Sequence, residues 1–169
     1  AVLALDLVRR IVTGDVTVDA GTSLTLSSGT QFKFNVGRIL YVNGTLDARG
    51  TDGQHIVFTS NDATPQAGDW KGIYFGSTST ASTLDYCEMR YAGRRDYYIG
   101  AHRYGVVVAY SSSPTVTNSV FVDNSGSGHA IEAYQGASPV ISGNEVADSG
   151  NYFVRSEEHT SELQSPSAI

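Results

Sequence analysis

Several shortages in this chain each remove a class of protein. There is one cysteine, Cys87, so no disulfide forms within the chain; set in a strand-like segment, it reads as a small packed side chain. No apolar run is long enough to cross a bilayer. Eleven Lys and Arg stand against seventeen Asp and Glu, a net charge of −6, which leaves no basic face for a phosphate backbone and argues against nucleic-acid binding. No phosphate-binding loop, zinc-ligand spacing or Ser/His/Asp order is present, and no cofactor is expected. Helix is excluded over most of the length, because the segments are rich in Thr, Val, Ser, Gly and Tyr.

What remains is a repeat. Short apolar pairs recur in threes: Val16/Val18, Leu24/Leu26 and Phe32/Phe34, then Leu40/Val42, Leu46/Ala48 and Ile56/Phe58. Later rounds begin at Ile73/Phe75, Val107/Ala109 and Ile131/Ala133. Val16 to Leu40 is 24 residues, Leu24 to Leu46 is 22, Phe32 to Ile56 is 24, and Val107 to Ile131 is again 24. Alternation within each piece points one set of side chains inward and the next to water. A period of this size marks a solenoid, whose units bury their apolar faces only against their neighbours. The expectation is an all-β parallel solenoid of about five coils, each of three short strands. Gly21, Gly29, Gly37, Gly44 and Gly50 fall at the corners, where positive φ is expected.

Three segments follow from the pattern. Residues 11–154 are the solenoid. Residues 1–10 form either an N-terminal capping helix or a strand of an earlier coil, since Leu3, Leu5 and Leu7 suit both. After Val154 the alternation stops, and residues 155–169 resemble the translation of a sequencing adapter and are set aside as a non-native tail. The pattern breaks in mid-coil at 151–154, so a fragment of a longer protein is expected.

The segments Val16–Phe34, Leu40–Thr51, Ile56–Ser60 and Gly68–Phe75 resemble secreted bacterial proteins of the right-handed parallel β-helix, pectin-lyase-like superfamily. The resemblance implies the handedness, a place outside the cell or on its surface, and a polysaccharide as ligand or substrate. It does not choose among activities. Lyases of this kind bring acidic Ca²⁺ ligands and a basic residue together on one strand face, and hydrolases bring several Asp together. Neither motif is present.

Two insertions interrupt the period, Asn61–Trp70 and Arg94–Tyr104. Both fall between the third strand of one coil and the first of the next, so they should emerge side by side at one corner, where solenoids commonly build a binding face. Trp70, Tyr97, Tyr98 and Tyr104 offer flat apolar faces with polar edges, and Arg94, Arg95, His102 and Arg103 add donors suited to an acidic polysaccharide. The competing expectation is that Trp70 and the tyrosines fold inward over the flank of the coils. Asp85, Glu88, Asp69 and Asp96 are the acidic residues that could gather a cation; no metal site is assigned to them. Tyr110 and Tyr134 are read as an outward structural ladder, with a sugar platform as the lesser reading. Glu132 has no acidic partner in its column; His129 could supply the second group that acid–base work needs, but at a turn it is read as solvated. The leading function is a non-catalytic surface module that displays a polysaccharide-binding or adhesive face. A fragment of a polysaccharide lyase or glycoside hydrolase and a purely structural stalk are the alternatives.

Overall fold

A computed structural model describes residues 2–5, 9–94, 98–99, 102–103, 105–125, 128–147 and 153–156. Every long segment among them is extended, and the strands fall into three six-stranded parallel sheets. The first holds β1 (Val2–Leu5), β4 (Ser23–Leu26), β7 (Thr45–Arg49), β10 (Thr83–Asp85), β15 (Thr115–Thr117) and β18 (Val140–Ser142). The second holds β2 (Arg9–Val12), β5 (Gln31–Phe34), β8 (Ile56–Ser60), β11 (Cys87–Arg90), β16 (Val120–Val122) and β19 (Glu145–Ala147). The third holds β3 (Val16–Val18), β6 (Ile39–Val42), β9 (Gly72–Phe75), β14 (Val107–Tyr110), β17 (Ile131–Tyr134) and β20 (Val154–Ser156). A two-residue antiparallel pair, β12 (Tyr98–Ile99) with β13 (His102–Arg103), lies in the insertion before β14.

The chain visits the sheets in rotation, which makes a right-handed parallel β-helix six layers deep, one more than the repeat count suggested. Val2–Leu5 supply part of the added layer, as a strand in parallel register with Ser23–Leu26. At the other end β20 carries the pairing to Arg155 and Ser156, opposite Glu132 and Ala133.

The interior is a set of columns, each contributed by one inward position per layer. Val16, Leu40, Ile73, Val107, Ile131 and Val154 stack in the third sheet. Phe32, Phe58, Met89, Phe121 and Val146 stack in the second. The first carries Leu26, Ala48, Leu84, Val116 and Ile141. From Leu40 to Ile131 these columns are essentially inaccessible to solvent. Burial of such a column is the main driving force of the coil, at about 25 cal/mol for each Å² of apolar surface removed from water.

The equal spacing of Phe32 and Ile56 did not give their register. Phe32 lies beside Phe58, with ring centroids 5.9 Å apart, and Ile56 lies one layer below Cys87. The turn between β7 and β8, closed by an antiparallel bridge between Thr51 and Gln54, takes up two extra residues. The corner glycines also divide. Gly21, Gly29 and Gly37 have φ near +77° as expected. Gly44 and Gly50 do not; a Cβ there would meet backbone carbonyl oxygens at 2.3 and 2.4 Å, so close packing of layers excludes a side chain. Later corners use non-glycine residues at positive φ, including Tyr86, Tyr91, Asn118 and Asp123. There, side-chain amides knit the layers. Asn124 accepts from Ala92 N and donates to Met89 O, and Asn144 accepts from Ser119 N and donates to Val116 O.

Candidate functional site at one corner and the adjoining face

Both insertions leave the corner between the second and third sheets. Gly37 N donates to Asp69 O at 2.7 Å, and Lys71 N to Arg38 O at 2.8 Å. One layer on, Gly93 N donates to Lys71 O and Arg94 N to Trp70 O, both at 3.3 Å, and Ser125 N reaches Ala92 O at 2.8 Å. The corner is therefore a continuous backbone ladder, and the insertions are neighbours along it.

The first insertion is pinned by its own polar side chains. Asp69 accepts from Ser60 Oγ at 2.6 Å and from Gln66 N at 3.0 Å, while Asp62 accepts from Thr64 N at 2.9 Å. Asn61 Nδ2 donates to Asn35 Oδ1 at 2.9 Å. Together Thr13, Asn35, Val36, Arg38, Asn61 and Asp62 wall an open cleft of about 390 Å³. Its lining is hydroxyl, amide, one guanidinium and one carboxylate, with Val36 as the apolar member. Arg38 lies 3.5 Å from Asp15, both well exposed, a contact that contributes little to stability.

Trp70 does not join this surface. It is fully buried, its ring stacked on Phe34 at a centroid distance of 4.2 Å and an interplanar angle of 5°, and its Nε1 donates to Arg90 O at 2.7 Å. The reading of Trp70 as a sugar-facing ring is thus corrected. Phe34 has the small polar Ser60 as its register neighbour, and the indole fills the space beside it. Of the second insertion, Arg94 is half-buried at its foot. Tyr98 pairs with Arg103, and Ile99 with His102, as a short hairpin. Arg95, Tyr97 and Tyr104 lie outside the described residues.

The corner opens onto the outer face of the third sheet, and here the sequence reading missed most. Tyr41 and Tyr74 are register partners, with centroids 5.9 Å apart and planes at 72°. Tyr110, one layer further and one outward position along, has its centroid 6.3 Å from that of Tyr74, at 27°. All three are half-buried. Tyr134, expected outward, is buried instead, and its hydroxyl donates to the carboxylate of Glu132. Glu132 is buried too, and its other oxygen lies 2.8 Å from Nδ1 of His129. His129 is therefore tied to a buried carboxylate rather than simply solvated. The signal was available: Glu132 falls at an outward slot three residues after His129, but neither had a partner in its own column.

The acidic residues weighed for a cation diverge. Asp85 faces out of the first sheet and accepts from Thr117 Oγ1 and Asn118 Nδ2 at 2.8 and 2.9 Å. Glu88 faces out of the second sheet and is bound to Arg90. Asp69 is held within its loop, and Asp96 lies outside the described residues. No group of three or more metal-type ligands occurs among the described residues. Cys87 is buried, and burial pushes its thiol well above the usual range, which removes it as a nucleophile.

No curated protein and no solved structure matches the chain. A family model, the pectate-lyase-like beta helix domain, matches residues 4–105, more than half of the sequence and the stretch that contains the corner, the cleft and two of the three tyrosines. With three stacked parallel sheets beneath that match, the chain belongs to the pectate-lyase-like β-helix domain family.

Proposed function

We propose that this chain is a non-catalytic extracellular module displaying a polysaccharide-binding or adhesive face where residues 61–70 and 94–104 emerge. The carrying observation is the joining of the two insertions by backbone hydrogen bonds beside an open polar cleft. A rigid coil thereby presents two neighbouring loops and a row of hydroxyl, amide and guanidinium groups at one place. That is what a sugar chain requires: donors and acceptors fixed in advance, so little ordering entropy opposes binding. Family membership supports a polysaccharide-related role and a location outside the cell. Among the described residues no helix is long and apolar enough to cross a membrane.

The test is retention of the purified chain in gels or columns carrying a panel of soluble polysaccharides, neutral and acidic. Retention on at least one, weakened by Arg38→Ala with an unchanged melting temperature, is expected. Absence of retention on every member would leave the coil a structural stalk. Appearance of new reducing or unsaturated ends in a retained polysaccharide would replace binding with catalysis.

A further inference from the structure

The three outer faces of the coil differ in charge. The first sheet turns Asp47, Arg49 and Asp85 outward. The second turns Arg9, Lys33, Glu88, Arg90 and Glu145 outward. From β3 to β14 the outward positions of the third are Thr17, Tyr41, Tyr74, Val108 and Tyr110, with Ile39 and Gly72 in the same phase but buried, and none carries an ionised side chain. Beyond β14 the carboxylate of Glu132 is buried, with its oxygens taken by Tyr134 and His129, and the exposed Arg155 follows as its register partner, two layers from Val108. Arg38 and Lys71 stand at the corner, before the strands of this face begin.

The tyrosines lie on successive layers, so three rings cover two layer steps, about 10 Å along the coil axis. A centroid distance of 6.3 Å with planes at 27° is an offset arrangement. That separation is at the long end of the range for interacting rings, so Tyr74 and Tyr110 overlap only in part. Burial first, then Tyr110 and Tyr41, pushes the Tyr74 hydroxyl up to about 12. It stays protonated at any physiological pH, able both to donate and to accept.

We infer that this face is a stacking platform for a neutral polysaccharide chain laid along the coil axis across Tyr41, Tyr74 and Tyr110. The inference rests on the polysaccharide reading above and adds the class of sugar and its direction. A pyranose ring has an apolar C–H face and a hydroxyl rim, which matches an aromatic ring with a hydroxyl edge. Across the layers that carry Tyr41, Tyr74 and Tyr110 no outward strand position holds a cation to receive a uronate carboxylate, so its desolvation there is a cost without return. The sugar is therefore neutral, against the acidic preference suggested by the arginines of the second insertion.

The experiment compares retention of the whole chain on a neutral mixed-linkage β-glucan, a neutral galactomannan and polygalacturonate. Variants Tyr74→Ala, Tyr110→Ala, Tyr74→Phe and Arg38→Ala are run beside it, each with its melting temperature. The expected result is retention on a neutral polymer that falls at least about fivefold in Tyr74→Ala and much less in Tyr74→Phe, which keeps the ring. If Tyr74→Ala loses its fold, Tyr110→Ala carries the same expectation. Retention that depends on Arg38 but not on either tyrosine, or retention on polygalacturonate alone, overturns the platform and leaves the polysaccharide reading standing. No retention on any polymer overturns both.

Discussion

Replacing Trp70 by alanine separates its two candidate roles more sharply than any other single change. The side chain is fully buried, stacked on Phe34 at 4.2 Å, and bonded to Arg90 O. Truncating a buried Trp to Ala costs about 3–5 kcal/mol, because the surrounding layers collapse only partly into the space. Losing the hydrogen bond to the partly buried Arg90 carbonyl adds about 1 kcal/mol. A loss of about 4–6 kcal/mol is expected. With a urea slope of about 2 kcal/mol per molar, the unfolding midpoint should fall by about 2 M or more. Trp70→Phe keeps an apolar ring over Phe34 and loses the hydrogen bond, so its loss should be about 2 kcal/mol. The assay is equilibrium urea unfolding followed by circular dichroism, since Trp70 is the chain's single tryptophan and its fluorescence disappears with it. An unchanged midpoint in Trp70→Ala, together with lost polysaccharide retention, would refute the core assignment and return the indole to the surface.

Other expectations follow from single observations. Among the described residues, Thr30 Oγ1 is a buried oxygen without a hydrogen-bond partner, so the near-isosteric Thr30→Val should raise stability by about 1 kcal/mol, read from the urea midpoint. Cys87 should resist alkylating thiol reagents in the folded chain and react fully once urea unfolds it; rapid native labelling would contradict its burial. Tyr74 should be among the last phenols to ionise in an alkaline titration. Its folded value, about 12, lies above the ordinary 10, so the unfolded chain releases this proton first. Stability should therefore fall as pH rises from about 10 toward about 12, and Tyr74→Phe should flatten that part of the profile measured by urea unfolding.

The fold was legible because a coil repeats its physics. Each layer must return an apolar side chain to the same slot, so Val16, Leu40, Ile73 and Val107 mark their column in the linear sequence. Register failed only where a turn absorbed residues invisibly, as at Thr51–Gln54. The adjacency of the insertions was legible for the same reason, since equal phase in a solenoid means one corner. The fate of side chains inside an insertion was not. No alternation governs Trp70, and whether an indole covers a neighbouring phenylalanine or faces water depends on the space left by Ser60 one layer away. The tyrosine face escaped notice because its members sit in different columns, Tyr110 being one outward position beyond Tyr41 and Tyr74. The tie of Glu132 to His129 and Tyr134 was not fixed by register, because it is a local cluster formed across a turn and not along a column.

Hydroxyl-radical footprinting of the side chains, with and without a retained neutral polysaccharide, tests the central claim most directly. The account predicts protection of Tyr41, Tyr74 and Tyr110 together with the corner, while Tyr86 at the corner between the first and second sheets keeps its reactivity. Protection confined to other faces of the coil, or no protection at saturating polysaccharide, would contradict it.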